Sequence, residues 1–148
     1  MEKFNTVLKD LNGESFVLKD LIKQGKLNLL FFYNNDCLGC TGRALPLAYE
    51  FQQTYEQLNL IVIHSFFGVK QISTDDIRSI FIAKEAPFPI YLDNGHALFE
   101  AFECQGTPHW AFVNDQLQIK GSVFGSQDHS QLKLDLTIQE LLHEENLL

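Results

Sequence analysis

The alternation of apolar and polar positions divides the chain into strands and helices in turn. Leu27 to Tyr33, "LNLLFFY", is an apolar run of strand length. Continuity rather than alternation predicts a strand covered on both faces. Leu60 to Phe67, "LIVIHSFF", predicts a second buried strand, and Phe31, Phe32, Phe66 and Phe67 are candidate core. Between the two runs Ala44, Leu47, Ala48, Phe51, Tyr55 and Leu58 recur at steps of three and four, the stripe of an amphipathic helix. Upstream, "FNTVLKDLNGESFVLKDL" reads as two short strands about Asn12-Gly13, a tight-hairpin dipeptide. Downstream, Ser73 and Thr74 are N-cap candidates ahead of Ile77, Ile80 and Phe81 at helical spacing. "FPIYLD" is a short strand, Ala97, Leu98, Ala101 and Phe102 suggest a brief helix, and "HWAFVNDQLQIKGSVFG" reads as two strands joined at Asn114-Asp115. Thr137 with Glu140 forms a capping-box pattern before Ile138, Leu141 and Leu142, so a helix closes the chain.

The order is hairpin, β, α, β, α, β, short α, ββ, α. Strands alternating with helices, then a late hairpin, predict an α/β fold with a mixed sheet and helices on both faces. No repeat, low-complexity stretch or Pro/Gly/Ser linker interrupts the 148 residues, so a single domain over 1–148 is expected. Eleven Lys and Arg against nineteen Asp and Glu give a net charge of −8 with no compensating basic run. Nucleic acid and anionic membrane are therefore not expected partners. No apolar run approaches the roughly 20 residues that span a bilayer. The N-terminus, "MEKFNTVLKDLNG", shows no basic segment followed by an apolar one, which points to the cytoplasm unless an export signal has been removed.

Composition leaves the chemistry to the cysteines. There are three, so they cannot all pair internally, and a structural disulfide framework is not expected. Two of them, Cys37 and Cys40, lie three apart at the end of a central strand and just before the first long helix, in "FFYNNDCLGCTGRALP". In open α/β sheets that carboxyl edge is where sites are built. Residues i and i+3 share a helix face, so the two sulfurs can meet and close a small ring. Unpaired N–H groups at the helix start favour the Cys37 thiolate, which makes it the attacking nucleophile. Cys40, deeper in the helix, would resolve the mixed disulfide by attacking Cys37. No cofactor is needed. A zinc site would require two more ligands; Cys104 is isolated, and His64, His96, His109, His129 and His143 form no ligand-like pair, so no metal is expected.

"KLNLLFFYNNDCLGC" resembles the strand and W-x-x-x-C-x-x-C segment of the thioredoxin superfamily, with Tyr33 in the aromatic position. "QGTPHWAFV" resembles the loop that carries a cis-proline facing the dithiol, with Thr107 before Pro108. "NGESFVLKDLIKQGK" is similar to the N-terminal extension of TlpA and AhpC-type proteins, and the likeness is strongest to TlpA-like, DipZ-type thiol–disulfide oxidoreductases. The resemblance implies a thioredoxin-like fold, a central mixed sheet flanked by helices with an N-terminal β-hairpin extension. It also implies that Cys37 attacks, that Cys40 resolves, and that the Thr107-Pro108 bond is cis. Thr107 and Pro108 would bind an extended substrate segment by main-chain pairing. The implied partners are a disulfide-containing protein or a small thiol substrate, and an electron donor the sequence does not identify.

Several residues depart from that pattern. Asp36 replaces the usual aromatic before the first cysteine; a carboxylate there raises the Cys37 pKa unless it turns to solvent or caps the helix. Phe31 stands where thioredoxins hold a buried acid, and Arg43 where TlpA-type proteins carry a glutamate, leaving Asp36, Glu103 or water as proton acceptor for Cys40. Pro46 falls one residue later than the usual helix-kinking proline. Asp36, Tyr33 and His109 are thus candidate modulators, His109 either as a cation beside Cys37 or as a plain surface residue. His64 reads as a satisfied strand histidine, and Cys104 as a buried apolar residue or a third redox thiol. Two other functions remain open. One is a peroxiredoxin-like thiol peroxidase with Cys40 as the reactive thiol, although Asn34 and Cys37 stand where that family has proline and threonine. The other is a non-enzymatic redox sensor or binding module.

Overall fold

The computed structural model describes residues 2–65 and 72–148, and Asn94 by its backbone alone. Strand β1 (Val7–Asp10) pairs antiparallel with β2 (Ser15–Val17). Their turn is closed by the Asp10 N–H to the Glu14 carbonyl at 2.9 Å, and the Asp10 carboxylate accepts the Asn12 and Glu14 amides at 2.9 Å each. Gly13 takes a φ of 83°, a conformation open to glycine without a steric penalty. A short helix, α1 (Leu18–Leu21), leads to β3 (Leu27–Tyr33), the centre of the sheet. Parallel neighbours β4 (Leu58–Ser65) and then β5 (Ile90–Asp93) lie on one side, with β1 antiparallel to β5. On the other side β6 (His109–Val113) and β7 (Ile119–Phe124) add antiparallel. The seven-stranded order is β2-β1-β5-β4-β3-β6-β7, the mixed sheet expected. Of the second buried run, Phe66 and Phe67 lie outside the described residues.

Every residue of β3 is buried because both faces are covered. Leu27, Leu29, Phe31 and Tyr33 point to a core shared with α2 (Leu45–Thr54), α3 (Thr74–Arg78) and α5 (Asp128–Glu144). Leu30 and Phe32 point the other way, to Phe4, Leu18, Leu98 and Phe102; Leu98 belongs to α4 (Ala97–Ala101). Each buried Leu or Phe side chain stabilises the fold by about 1.5–3 kcal/mol. Phe31 stacks on Trp110 with centroids 4.3 Å apart, and Tyr33, Phe51 and Phe112 join them in a core otherwise mainly aliphatic. The one polar residue of β3, Asn28, is buried but satisfied: its oxygen accepts from Lys23 N–H at 2.9 Å and from the Asn59 amide at 2.8 Å.

Three helices differ from the periodicity. Helix α2 ends at Thr54, so Tyr55 lies just past it and Leu58 opens β4. Helix α3 begins at the Ser73 cap, with Asp76 completing a capping box, but ends at Arg78. Ile77 is buried, whereas Ile80 is 40% exposed, so the stripe does not continue to Ile80 and Phe81 as one helical face. Helix α5 starts at Asp128, which leaves Thr137 mid-helix. Its buried stripe runs from Ser130 through Leu134, Ile138, Leu141 and Leu142, and the Thr137/Glu140 pair sits on its polar side.

Candidate active site

Strand β3 ends at Tyr33, and Cys37 follows after three intervening residues. The intervening turn is held by its asparagines. Asn34 Oδ1 accepts the Asp36 N–H at 2.8 Å, and the Asn34 carbonyl accepts the Cys37 N–H at 3.0 Å. The Asn35 side chain donates to the Asp76 carbonyl at 2.9 Å, and the Asn35 N–H donates to His64 Nε2 at 3.3 Å. Helical backbone begins at Leu38, and the Cys37 carbonyl accepts the amides of Cys40 and Thr41 at 3.1 and 3.2 Å. The helix then widens: over Cys40–Ala44 it is π-helical, with the Leu45 N–H reaching back five residues to the Cys40 carbonyl. Pro46 explains the widening, since it has no N–H to offer Gly42 and its ring crowds that turn.

Cys37 and Cys40 are joined as a disulfide, with Cα atoms 5.2 Å apart. Their environments differ. Cys37 is half-buried and packs at the margin of the core; Cys40 is fully buried within it. The Cys40 N–H donates to Cys37 Sγ at 3.2 Å, so a backbone donor and the helix start both favour negative charge on that sulfur. Across the site the Thr107-Pro108 peptide is cis, and the Thr107 carbonyl oxygen lies 3.4 Å from Cys37 Sγ. This loop is tied to the end of β7: the Gly125 N–H donates to the Pro108 carbonyl at 2.9 Å, and Trp110 Nε1 donates to the Gly125 carbonyl at 2.9 Å. Ser126 Oγ donates to the Gly39 carbonyl at 3.2 Å, and a Cβ on Gly39 would meet that oxygen at 3.0 Å. Glycine lets the β7–α5 junction close on the dithiol helix.

The structure brings Cys37, Cys40, Thr107 and Pro108 together. Tyr33 is buried in the same core as Cys40, stacked on Phe31 at 5.7 Å, with its hydroxyl unpartnered among the described residues. Burial pushes its phenol above the usual range, so it is neutral. Asp36 is exposed, and the bonded group at its position is its own N–H rather than its carboxylate. Arg43 faces the exposed Asp128 carboxylate at 3.8 Å and is a surface residue.

His109 corrects the expectation. It is neither a cation beside Cys37 nor a surface residue. In β6 it pairs with Phe32, which places its side chain on the face opposite the dithiol, 6% exposed and edge-on to the Phe32 ring. Both ring nitrogens lack partners among the described residues, and burial lowers its pKa, favouring the neutral ring. Cys104 packs on that same far face, where burial and Asp93 push its thiol up to about 12. Glu103 is exposed beside the far-face residues Phe102 and Ala111 and is not placed with Cys40. Residues with no role at this site predicted from the sequence are Asn34, Asn35 and Ser126. The "NN" before the cysteines carried a signal, since asparagine side chains close turns; Ser126 carried none.

The AhpC/TSA family pattern matches residues 3–123. The thiol-disulfide oxidoreductase YkuV of Bacillus subtilis (strain 168) is 30% identical over 111 residues, 74% of this chain and 73% of YkuV. An exposed lipoprotein thioredoxin of Streptococcus pneumoniae superposes with a TM-score of 0.71 at 19% identity, covering 91% of this chain and 98% of its own. A secreted disulfide oxidoreductase of Mycobacterium tuberculosis gives 0.69 at 17% identity, covering 94% and 98%. These likenesses show a thioredoxin-like fold. They also overturn the cytoplasmic expectation: one of these two proteins is secreted and the other is an exposed lipoprotein, so the features that suggested the cytoplasm do not decide location. Matched over most of its length and related to YkuV across nearly three-quarters of it, the chain belongs to the AhpC/TSA family, among thiol–disulfide oxidoreductases that share its fold.

Proposed function

We propose that this thiol–disulfide oxidoreductase acts through Cys37 as the attacking thiolate and Cys40 as the resolving thiol, within one domain over residues 1–148. The observation that carries this reading is the asymmetry of the pair. Cys37 is half-buried, with the Cys40 N–H on its sulfur, and Cys40 is fully enclosed. Attack by the Cys37 thiolate on a substrate disulfide forms a Cys37–substrate mixed disulfide and releases the first substrate thiolate. Cys40 then attacks Cys37 Sγ, closing the Cys37–Cys40 bond and releasing the second. Two electrons pass from the dithiol to the substrate, and a dithiol donor returns them by the same exchange. The substrate class is a disulfide-bearing polypeptide or small disulfide. The half-exposed Thr107, whose carbonyl faces Cys37, supports main-chain pairing to an extended segment.

The peroxidase reading needs Cys40 to meet peroxide, and Cys40 has no exposed surface. The binding-module reading predicts a disulfide that forms without turnover. Catalysed reduction of insulin by wild type, abolished in Cys37→Ser, tests the proposal. Cys40→Ser should instead accumulate a covalent mixed disulfide through Cys37. If Cys40→Ser turned over and Cys37→Ser trapped the adduct, the assignment of roles would be reversed.

A further inference from the structure

The sequence left the dithiol without its usual carboxylate neighbours, and the structure shows which polar group reaches the turn in front of it. His64 ends the central pair of strands, in parallel register with Tyr33. Its ring lies on the dithiol face, edge-on to Tyr33 with centroids 5.1 Å apart and planes at 89°. It is 2% exposed. Its Nε2 takes the Asn35 N–H at 3.3 Å, two residues ahead of the half-buried sulfur. The other fixed points of that turn are Asn34 Oδ1 on the Asp36 N–H, the Asn34 carbonyl on the Cys37 N–H, and the Asn35 amide on the Asp76 carbonyl of α3. Those three bonds tie the turn to itself and to a surface helix. The His64 bond ties it to the buried sheet.

We infer that His64 is a positioning residue for the reaction: as a neutral acceptor it anchors the Asn34–Asp36 turn to β4 and so fixes where Cys37 is presented to a disulfide. This rests on Cys37 being the attacking thiol. The chemistry requires one tautomer, because Nε2 can accept only if the ring proton sits on Nδ1. Protonation would turn Nε2 into a donor facing the Asn35 N–H, and the bond would be lost.

The surroundings keep the acceptor form. Tyr33 on β3 contributes a neutral phenol, and β5 contributes Leu92 opposite His64. The Asp93 carboxylate of β5 is engaged by Ser65 and by the amides of Leu98 and Phe99. From α3, Asp76 reaches the turn through its carbonyl, while the carboxylates of Asp75 and Asp76 are at the surface. In the turn itself, the exposed Asp36 carboxylate is the charge that pulls toward protonation. Burial outweighs it and holds the His64 pKa down to about 4.

The experiment combines spectroscopy with two variants. Nitrogen NMR on reduced wild type should show His64 Nε2 unprotonated from pH 8 to 5, with the Asn35 amide protected from exchange. A protonated Nε2 in that range overturns the inference. His64→Leu should expose the Asn35 amide and slow the reaction of Cys37 with a small aromatic disulfide by about tenfold, the scale of one lost buried hydrogen bond. His64→Gln, whose side-chain oxygen can accept the same N–H, should recover the rate to within about twofold of wild type. Wild-type speed in His64→Leu sinks the inference, and so does equal slowing in both variants. Because the Gln variant and the wild-type spectra stand alone, a His64→Leu chain that does not fold leaves the test intact. Failure of wild type itself to reduce the disulfide would strike the dithiol assignment instead.

Discussion

The two faces of the sheet carry the same chemical groups in opposite conditions. On one face stand Cys37, Cys40 and His64; on the other, Cys104 and His109. Cys37 reaches solvent at a helix start and receives a backbone N–H. Cys104 packs among apolar residues and near Asp93, so its thiolate is suppressed. His64 accepts a hydrogen bond from the turn ahead of the dithiol, while His109, also buried, has both nitrogens unpartnered among the described residues. Reactivity therefore follows from position on the fold rather than from residue type.

That contrast breaks most sharply in thiol chemistry. With the Cys104 thiol pushed to about 12, its alkylation by iodoacetamide at pH 8 should be at least about a hundredfold slower than that of Cys37 in the reduced protein. Peptide mapping after timed quenching reads both rates together. Comparable rates would remove the electrostatic distinction between the faces.

A smaller effect lies in stability against pH. Unfolded His64 binds a proton below about 6.5, whereas the folded residue resists until about 4. Between those values the unfolded state holds more protons, so stability falls as pH falls, by about 3 kcal/mol across the window for His64 alone. His109, also lowered by burial, adds loss in the same direction. Denaturant melts from pH 7 to 4 measure the slope, and His64→Gln should flatten it. A wild-type curve level over that range would contradict the burial of both rings.

The smallest effect sharpens the difference between the two histidines. His109→Phe removes two unpaired ring nitrogens and keeps an aromatic ring against Phe32, so it should stabilise the protein at pH 7 by about 1 kcal/mol. Urea titration decides the sign; a destabilised variant would show that the ring nitrogens have partners after all.

Much of this molecule was legible in one dimension. An apolar run covered on both faces fixed β3 as a central strand, because only burial on both sides tolerates such a run. Spacing put Cys37 and Cys40 at the strand-to-helix junction, and "TP" marked the facing loop. Periodicity misled where polar pattern and helix capping look alike: Thr137/Glu140 lies within α5, and α3 stops before Ile80. The sequence by itself determined which residues are apolar, which thiols are paired, and the order of elements, since these depend on neighbours along the chain. Only the tertiary structure decided that His109 turns from the dithiol and His64 turns toward it. Strand pairing and pleat set which face a side chain occupies, and those come from partners far away in sequence. The hydrogen bond from Asn35 to a histidine on another strand is that kind of contact, and no spacing rule along the chain encodes it.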